Sequence, residues 1–151
     1  YKLAFSKIIN FYKKNLNKIK FYELMISDTF GHNDERIKII NVIKKNYKKN
    51  KTTKLRSKNL YINLLNVEAI IEGINLIKKK NIHPGKYLLK NNTDIRLFNL
   101  VKKFNDLNDK KLKVVWDSQK IIKQKIYKYK RLNGWKPIKS NINDIINLIK
   151  N

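Results

Sequence analysis

Hydrophobic side chains recur along this chain with the spacing of helices in some stretches and the length of buried strands in others. Residues 3–17 carry an apolar stripe at helical spacing, which predicts a first helix. Residues 20–26 form an apolar run that predicts a buried strand, and residues 35–50 again have approximately helical spacing. The chain therefore begins with a predicted helix, strand and helix in that order.

The stretch between the predicted strand and the second helix is polar and predicts a turn over residues 28–34. Gly31 is free to adopt positive φ there, and Asn33 and Asp34 bend or cap backbone well. A strand followed by a loop and a helix is the unit on which α/β proteins bind ligands, beyond the carboxyl end of the strand. Residues 20–50 are therefore the first candidate for a binding site.

The rest of the chain continues the alternation of short strands and amphipathic helices. The predicted elements are an extended segment at 51–56, a strand at 60–65, a helix at 67–79 capped by Asn66, a break at 81–85, a strand at 85–89, a helix at 94–105 capped by Asn92 or Thr93, a last strand at 112–116, an irregular surface segment at 117–134 and a closing helix from about Ser140. This order predicts an α/β or α+β layer. The first helix has no capping residue ahead of it, which suggests that the sequence begins inside a larger protein.

Composition narrows the class of protein. With 151 residues, of which 42% are hydrophobic, the chain suits one domain with a real core. It contains no cysteine, so disulfides and thiolate metal sites are excluded, and its two histidines, His32 and His83, have too few acids nearby for a metal site. No apolar run reaches the roughly 20 residues of a membrane span, and the first residues have no signal-peptide layout, so we predict a cytoplasmic protein without a membrane contact.

The formal net charge of +25 by itself suggests binding to nucleic acid or to an anionic membrane. Almost all of the basic residues are lysines, whereas bidentate recognition of phosphates and bases relies on arginine. The chain is also rich in asparagine, isoleucine and tyrosine, which AT-rich codons supply, so genome composition explains much of the charge. A basic binding module that uses residues 44–58 and 120–131 stays open as an alternative.

Four motifs in sequence order resemble the C-terminal half of an extended short-chain dehydrogenase/reductase of the sugar-nucleotide epimerase/dehydratase type. Ser6-Lys7 before an amphipathic helix is similar to the end of the family's Tyr-x-x-x-Lys segment. Asp28-Thr29-Phe30-Gly31-His32-Asn33-Asp34 is similar to its strand-end turn, and Asn66-Val67-Glu68-Ala69-Ile70-Ile71-Glu72-Gly73-Ile74 to its strand-to-helix segment. Trp116 and the later Gly134-Trp135-Lys136-Pro137 resemble its C-terminal substrate lobe, with Trp135 expected to be a packing anchor for the last helix rather than a stacking platform.

This resemblance implies an α/β fold, namely the C-terminal part of a Rossmann-like doubly wound domain with a small α/β substrate-binding lobe. Residues 1–151 would be a single incomplete domain, because the family's glycine-rich dinucleotide fingerprint is absent from them. The implied cofactor is NAD or NADP, and the implied partners are a nucleotide sugar, the N-terminal half of the same chain and a second copy in a homodimer. The fragment alone is expected to be inactive, since it lacks a pyrophosphate cradle.

The resemblance also assigns site residues. Tyr1 and Lys7 are the implied catalytic pair, with Lys7 binding the nicotinamide ribose and tuning the phenol. The other implied groups are Asp28 and Thr29 at the cofactor and His32, Asn33, Lys120 and Lys123 at the substrate. The family's tyrosine position holds Leu3, and Tyr1 is about 240° away around a helix, so Tyr1 serves only if the chain is not helical there.

Further departures affect the substrate site. The resemblance expects an arginine shortly before the apolar strand that precedes the acidic pair, and here that strand carries Ile62 and Asn63. Ile122 stands where a second arginine would hold the diphosphate, and Ala69 replaces the second acid of the pair. Lys120 and Lys123 supply replacement charge as point charges without bidentate geometry. We therefore consider three hypotheses: part of an NAD(P)-dependent epimerase, dehydratase or reductase; a basic binding module; and a catalytically dead homologue kept for assembly.

Overall fold

Helices and strands alternate over the residues that the computed structural model describes, which are 2–16, 18–118 and 129–151. The helices there are α1 (Lys2–Asn15), α2 (Ile39–Lys48), α3 (Val67–Lys79), α4 (Leu97–Leu107) and α5 (Ile142–Lys150). The strands there are β1 (Tyr22–Ile26), β2 (Asp28–Phe30), β3 (Thr53–Leu55), β4 (Tyr61–Ile62), β5 (Leu64–Asn66), β6 (Gly85–Leu89), β7 (Ile95–Arg96), β8 (Val114–Trp116) and β9 (Lys130–Arg131).

The largest sheet in the described part has three parallel strands in the order β1, β6, β9. β1 and β6 pair from Tyr22 opposite Gly85 to Ile26 opposite Leu89. The pairs β2 with β5 and β3 with β8 are also parallel, and β4 with β7 is antiparallel. Parallel strands require long crossovers, which the helices between them provide. The predicted α/β class is therefore confirmed.

Two hydrophobic clusters lie on opposite sides of β5. Leu64 belongs to the larger cluster, which includes Phe104 of α4 and Ile145 of α5. Leu65, the next residue, belongs to the smaller cluster with Leu89 of β6 and Ile77 of α3. Successive side chains of a strand point to opposite faces, so one short strand separates both clusters. The smaller cluster attaches α3 to the β1–β6 sheet.

The strongest local signals in the sequence are confirmed. Helix α3 covers the predicted residues 67–79, and the Asn66 side chain accepts a hydrogen bond from the Glu68 N–H at 2.9 Å. Asn81 follows the end of α3 with φ of 42°, a left-handed conformation that asparagine tolerates at a helix end. β6 begins and ends at the predicted residues, Gly85–Leu89.

The predicted turn at residues 28–34 is partly wrong. Asp28–Phe30 is strand β2, because it pairs with β5, and Gly31 does not adopt positive φ; Gly134, with φ of 76°, is the glycine that does. Helix α2 begins at Ile39 rather than at residue 35, and its N-cap, Lys38, makes no side-chain capping bond. Asn33 and Asp34 therefore do not cap it.

The predicted start of α4 is also wrong. Ile95–Arg96 pairs with β4, so the helix begins at Leu97, and neither Asn92 nor Thr93 is its N-cap. The predicted strand at 60–65 is divided at Asn63, which separates β4 from β5. The strand at Val114–Trp116 is not the last, because β9 follows it. Most of the segment predicted to be irregular, residues 119–128, lies outside the described residues.

Candidate functional site

The predicted cofactor residues Asp28 and Thr29 lie where β1 ends and β2 begins, at the carboxyl end of β1. Two basic side chains from the segment before α2 contact them. Lys38 donates from Nζ to Asp28 Oδ1 at 3.0 Å, and Arg36 donates from Nη2 to Thr29 Oγ1 at 2.8 Å. The strand end is therefore held by charged groups that follow it in sequence.

Arg36 also binds Asp34 through a bidentate pair. Its Nε lies 2.7 Å from Asp34 Oδ1 and its Nη2 lies 2.6 Å from Oδ2. The Asp34 side chain is only 7% exposed, and Asn41 of α2 donates to its backbone carbonyl at 2.6 Å. The hydrogen bonds from Arg36 lower the pKa of Asp34 below its usual value. Arg36 thus joins β2, the loop and α2 into one ordered unit.

Ser27, the residue between β1 and β2, places a buried hydroxyl at this strand end. Its N–H donates to the Leu89 carbonyl at 3.1 Å, so the backbone extends the β1–β6 pairing by one residue. Its Oγ is buried and has no hydrogen-bond partner among the described residues. A buried hydroxyl without a partner is costly, so Ser27 can accept or donate to a polar group that reaches the carboxyl end of β1.

Lys7 lies apart from Asp28 and Thr29. It is exposed on α1, and within the described part of the chain its side chain makes no hydrogen bond or ion pair. The open cleft of about 870 Å³ between α1 and β1 is lined by its neighbour Ser6 and by apolar residues such as Ile9 and Met25. Lys7 therefore stays a predicted site residue. It takes no part in the contacts of Asp28 and Thr29 at the carboxyl end of β1.

The remaining predicted site residues are either exposed or lie outside the described part of the chain. His32 and Asn33 are exposed in the turn after β2, and their side chains make no hydrogen bond within the described ranges. Tyr1, Lys120 and Lys123 lie outside the described residues. Their proposed roles stay predictions.

A buried polar network supports the neighbouring strand ends. Asn91, just after β6, donates from its N–H to Asn63 Oδ1 at 2.8 Å and from Nδ2 to the Leu64 carbonyl at 3.2 Å. Ser140, only 1% exposed, accepts from the Asn66 N–H at 2.9 Å. The ends of β5 and β6 are thus tied to the segment before α5.

The sequence did not single out Arg36, Ser27 or the Asn91–Ser140 network. The one available signal was that arginine is rare in this chain, and Arg36 is one of only four. A second group of functional interest, around Phe98, combines Arg96, Lys58 and Trp116. Three separate segments supply its members, so sequence spacing did not indicate it.

Residues 2–16, 18–118 and 129–151 contain no cluster of three or more histidine, aspartate or glutamate side chains arranged to hold a metal ion. In the same ranges, no helix combines the length and the hydrophobicity required to span a bilayer.

Comparison with known proteins gives matches at the level of structure only. No family model matches the sequence, and no significant match to a curated protein was found. The fold is similar to that of UDP-glucose 4-epimerase from Thermotoga maritima, solved with UDP-glucose (TM-score 0.75, 12% identity), covering 99% of this chain and 50% of that one. It is also similar to RMD from Pseudomonas aeruginosa complexed with NADPH (TM-score 0.71, 12% identity, covering 99% and 54%).

A third similar structure is UDP-glucuronic acid 4-epimerase from Bacillus cereus in complex with NAD, with a TM-score of 0.70, 17% identity and coverage of 99% of this chain and 50% of that chain. The chain therefore spans about half the length of the structures it matches. At these identities the comparison establishes the fold. Residues 1–151 have the Rossmann-like α/β fold of about half of an NAD-dependent sugar-nucleotide epimerase or dehydratase, as the sequence resemblance predicted.

Proposed function

We propose that this chain is the C-terminal part of an NAD(P)-dependent sugar-nucleotide epimerase, dehydratase or reductase. The observation that carries the proposal is the structural similarity over 99% of the chain to about half of such enzymes. Two of the sequence motifs add support, because they lie at junctions between elements of the fold. The strand-end turn follows β1, and Asn66 joins β5 to α3.

The Gly-Trp-x-Pro segment gives the clearest structural support among the motifs. Trp135 donates from Nε1 to the Ala69 carbonyl of α3 at 2.7 Å and packs against the smaller hydrophobic cluster. Trp135 is a packing anchor, but its predicted partner, the last helix, was wrong: it packs against α3 and the smaller cluster, whereas the buried residues of α5 belong to the larger cluster. Ala69 and Gly73 belong to the strand-to-helix motif, so two motifs that are far apart in sequence meet in space.

When bound, NAD(P) would supply hydride transfer to or from the sugar. In this proposal Lys7, Asp28 and Thr29 would hold the cofactor, and Tyr1 would exchange a proton with a hydroxyl or keto group of the sugar. The buried Ser27 hydroxyl, which has no partner in the described ranges, suits a polar group at the carboxyl end of β1. The sequence contains no glycine-rich phosphate loop, so we assign the binding of the dinucleotide phosphates to an N-terminal half of the protein.

The test is a titration of the complete gene product with NAD, NADH, NADP and NADPH, followed by thermal unfolding. A ligand that binds only the folded state at about 100 times its Kd stabilises that state by about 2.7 kcal/mol. We expect the melting temperature to rise with the concentration of at least one dinucleotide, and nucleotide sugars to be converted. No rise with any of the four dinucleotides would contradict the proposal.

Lys7 can be tested within the same titration. Lys7→Ala should weaken dinucleotide binding, because the proposal places its ammonium at the nicotinamide ribose. Lys14→Ala is the matched control, since it removes the same charge from the same helix. Equal effects of both substitutions would show that only overall charge matters, and the role of Lys7 would be wrong.

The second candidate function is a basic surface that binds polyanions, and one structural observation favours it. The Thr53 N–H donates to the Lys113 carbonyl at 2.8 Å, which brings two lysine-rich segments together. The lysines of these segments form none of the ion pairs found in the described part of the chain. They are Lys48, Lys49, Lys51, Lys54, Lys110, Lys111 and Lys113. This function predicts nucleic-acid affinity that falls steeply with salt, without dinucleotide binding.

The third possibility, a dead homologue, gives a different result in the same experiments. Such a protein binds a dinucleotide or a nucleotide sugar and releases it unchanged. Incubation with cofactor and a panel of nucleotide sugars, followed by chromatography of the products, separates it from the active enzyme.

A further inference from the structure

A tight turn follows β9 and carries the one Asn-Gly pair of the sequence. Of the four glycines, only Gly134 follows an asparagine. The Trp135 N–H donates to the Leu132 carbonyl at 3.3 Å, which places Asn133 and Gly134 at the tip of the turn. Gly134 has φ of 76°, which the third position of a type II turn requires and which glycine adopts without strain.

Both residues of the tip are exposed. Within the described part of the chain, the Asn133 side chain makes no hydrogen bond, and neither does the Gly134 N–H. The flanking residues are fixed, because Leu132 is buried and Trp135 donates to the Ala69 carbonyl. The side-chain amide of Asn133 and the N–H that follows it are therefore both open to water on a turn with anchored ends.

Positive charge lies beside this tip. Asn133 and Gly134 line an open cleft of about 410 Å³ together with Lys80, the C-cap residue of α3, and Lys130 of β9. No acidic side chain of the described residues lines this cleft, and neither lysine forms an ion pair within the described ranges. A Cβ atom added to Gly134 would lie 3.7 Å from Lys80 Nζ, so the ammonium group lies next to the glycine. An ammonium group this close stabilises negative charge that develops on nearby nitrogen and oxygen atoms.

We infer that Asn133 is a site of spontaneous deamidation. The Gly134 nitrogen attacks Cγ of the Asn133 side chain, the bond from Cγ to the amide nitrogen breaks, and ammonia leaves with the proton of the Gly134 N–H. Glycine allows this attack because it has no Cβ atom to hinder the approach of the two groups. Water then adds to one of the two carbonyl carbons of the five-membered imide and breaks its bond to the Gly134 nitrogen, which regains a hydrogen. Addition at Cγ gives aspartate, and addition at the backbone carbonyl gives an isoaspartyl residue.

The two products differ in their effect on the molecule. Either product puts a carboxylate into the cleft of Lys80 and Lys130, which offsets part of the positive charge there. The isoaspartyl product also passes the backbone through the side chain, which adds one carbon atom between Leu132 and Trp135. Because Leu132 and Trp135 both pack in the smaller cluster, this product loosens the contact between Trp135 and α3. The inference is independent of the proposed function, since neither a dinucleotide nor a sugar takes part.

The experiment incubates the complete gene product at neutral pH, below its melting temperature, and follows the asparagines by peptide mass spectrometry. Conversion of the amide to an acid should be fastest at Asn133, and chromatography should separate an aspartyl and an isoaspartyl peptide. Asn33 and Asn143 are internal controls, because both are exposed and both are followed by an aspartate, whose side chain hinders the attack. Faster conversion at either control than at Asn133 would overturn the inference.

Matched lysine variants test the role of the cleft. Lys80→Ala should slow the conversion of Asn133 about twofold to fivefold, the effect expected of one exposed charge at short distance. Lys79→Ala removes the same charge from the neighbouring exposed residue, which does not line the cleft, and should leave the rate unchanged. Equal rates in both variants would show that Lys80 does not promote the reaction.

Urea unfolding tests the structural consequence. Asn133→Asp introduces the charge alone, whereas incubated native protein also contains the isoaspartyl form, so the incubated protein should be the less stable of the two. Asn133→Gln cannot form the five-membered imide and should keep its stability during the same incubation. A loss of stability in Asn133→Gln equal to that of the native protein would overturn the assignment of the loss to Asn133.

Discussion

Gly73 of α3 lies where the helix meets β6 and the Gly-Trp-x-Pro segment. A Cβ atom at this position would lie 3.2 Å from Leu89 Cδ1 and 3.2 Å from Trp135 Nε1. Both neighbours belong to the smaller hydrophobic cluster, and Trp135 is further held by its hydrogen bond to Ala69. Neither Leu89 nor Trp135 can move away without loosening the packing of the smaller cluster.

We therefore predict that Gly73→Ala destabilises the fold. Overpacking of a tight contact costs about 1–3 kcal/mol, while alanine gains about 1 kcal/mol over glycine inside a helix, so the net loss should reach up to about 2 kcal/mol. Urea unfolding measures it. Gly31→Ala is the control, because a Cβ there would lie 3.4 Å from Val67 Cγ2, close to ordinary contact. A Gly73→Ala variant as stable as the native protein would show that Trp135 is not fixed.

Asp34 gives a pH-dependent prediction. Its pKa is lowered below 3.8 by the hydrogen bonds from Arg36, so the folded state binds its proton less readily than the unfolded state does. The resulting stability is complete above this value and decreases as the pH falls through the lower folded-state pKa. The free energy of unfolding should therefore fall more steeply in the native protein than in Asp34→Asn as the pH decreases below about 4.

The difference between these two proteins isolates Asp34 from the other carboxylates. Asp94 also contributes to the pH dependence, and this comparison removes its contribution. Burial raises the pKa of Asp94, but hydrogen bonds from Asn63 and Lys90 outweigh burial and lower it overall. Arg36→Ala should return the Asp34 pKa towards its ordinary value, which NMR titration of the carboxyl carbon would detect. An unchanged Asp34 pKa in Arg36→Ala would contradict the assigned cause.

Among the elements, α5 has the most complete local start. Asn141 Oδ1 accepts from the N–H groups of Asn143 and Asp144 at 2.8 and 3.0 Å, and Asp144 Oδ2 accepts from the Asn141 N–H at 2.9 Å. This reciprocal arrangement is a capping box. Because Ile145 and Ile149 of α5 are fully buried in the larger cluster, a weaker start of the helix reduces global stability.

Asn141→Ala should lower the free energy of unfolding by about 1 kcal/mol. The measurement is chemical denaturation followed by circular dichroism. Asn143→Ala, two residues further on, removes an exposed asparagine side chain that does not cap the helix, and it should be neutral or slightly stabilising. Equal losses in both variants would mean that the cap contributes nothing beyond helix propensity.

Elements with complete local signals were predictable, and elements that depend on distant partners were not. Asn66 and the Asn81 break define α3 within their own stretch of sequence. Asp28–Phe30 resembles a turn in sequence and becomes a strand only because β5 lies beside it. The same reason separates the site residues: Asp28 and Thr29 follow a recognisable strand, whereas the contacts of Arg36 and Arg96 depend on tertiary structure.

On the scale of the whole molecule, apolar side chains are unevenly covered. The clusters around Leu64 and Leu65 are buried, while Phe5 and Phe11 of α1 are 65% and 63% exposed. A helix with large exposed aromatic side chains is typical of a surface that packs against further protein. This supports the proposal that residues 1–151 function together with an N-terminal half, and it fits the match to about half of each similar structure.

Charge leads to the last prediction at this scale. The chain has 36 lysines and arginines against 11 acids, so repulsion between basic side chains opposes the compact state. Raising sodium chloride from about 0.01 M to about 1 M shortens the Debye length from about 30 Å to about 3 Å and screens this repulsion. The ion pairs of the described residues are mostly exposed and weak, so their loss should not cancel the gain. The melting temperature should therefore be higher in high salt. The part of this rise that comes from screening should saturate at low salt concentration. Sucrose at the same molar concentration leaves the charges unscreened, so it should not reproduce that part. A fall in melting temperature with salt would mean that the few acids, such as Asp34 beside Arg36, contribute more to stability than the excess of lysine removes.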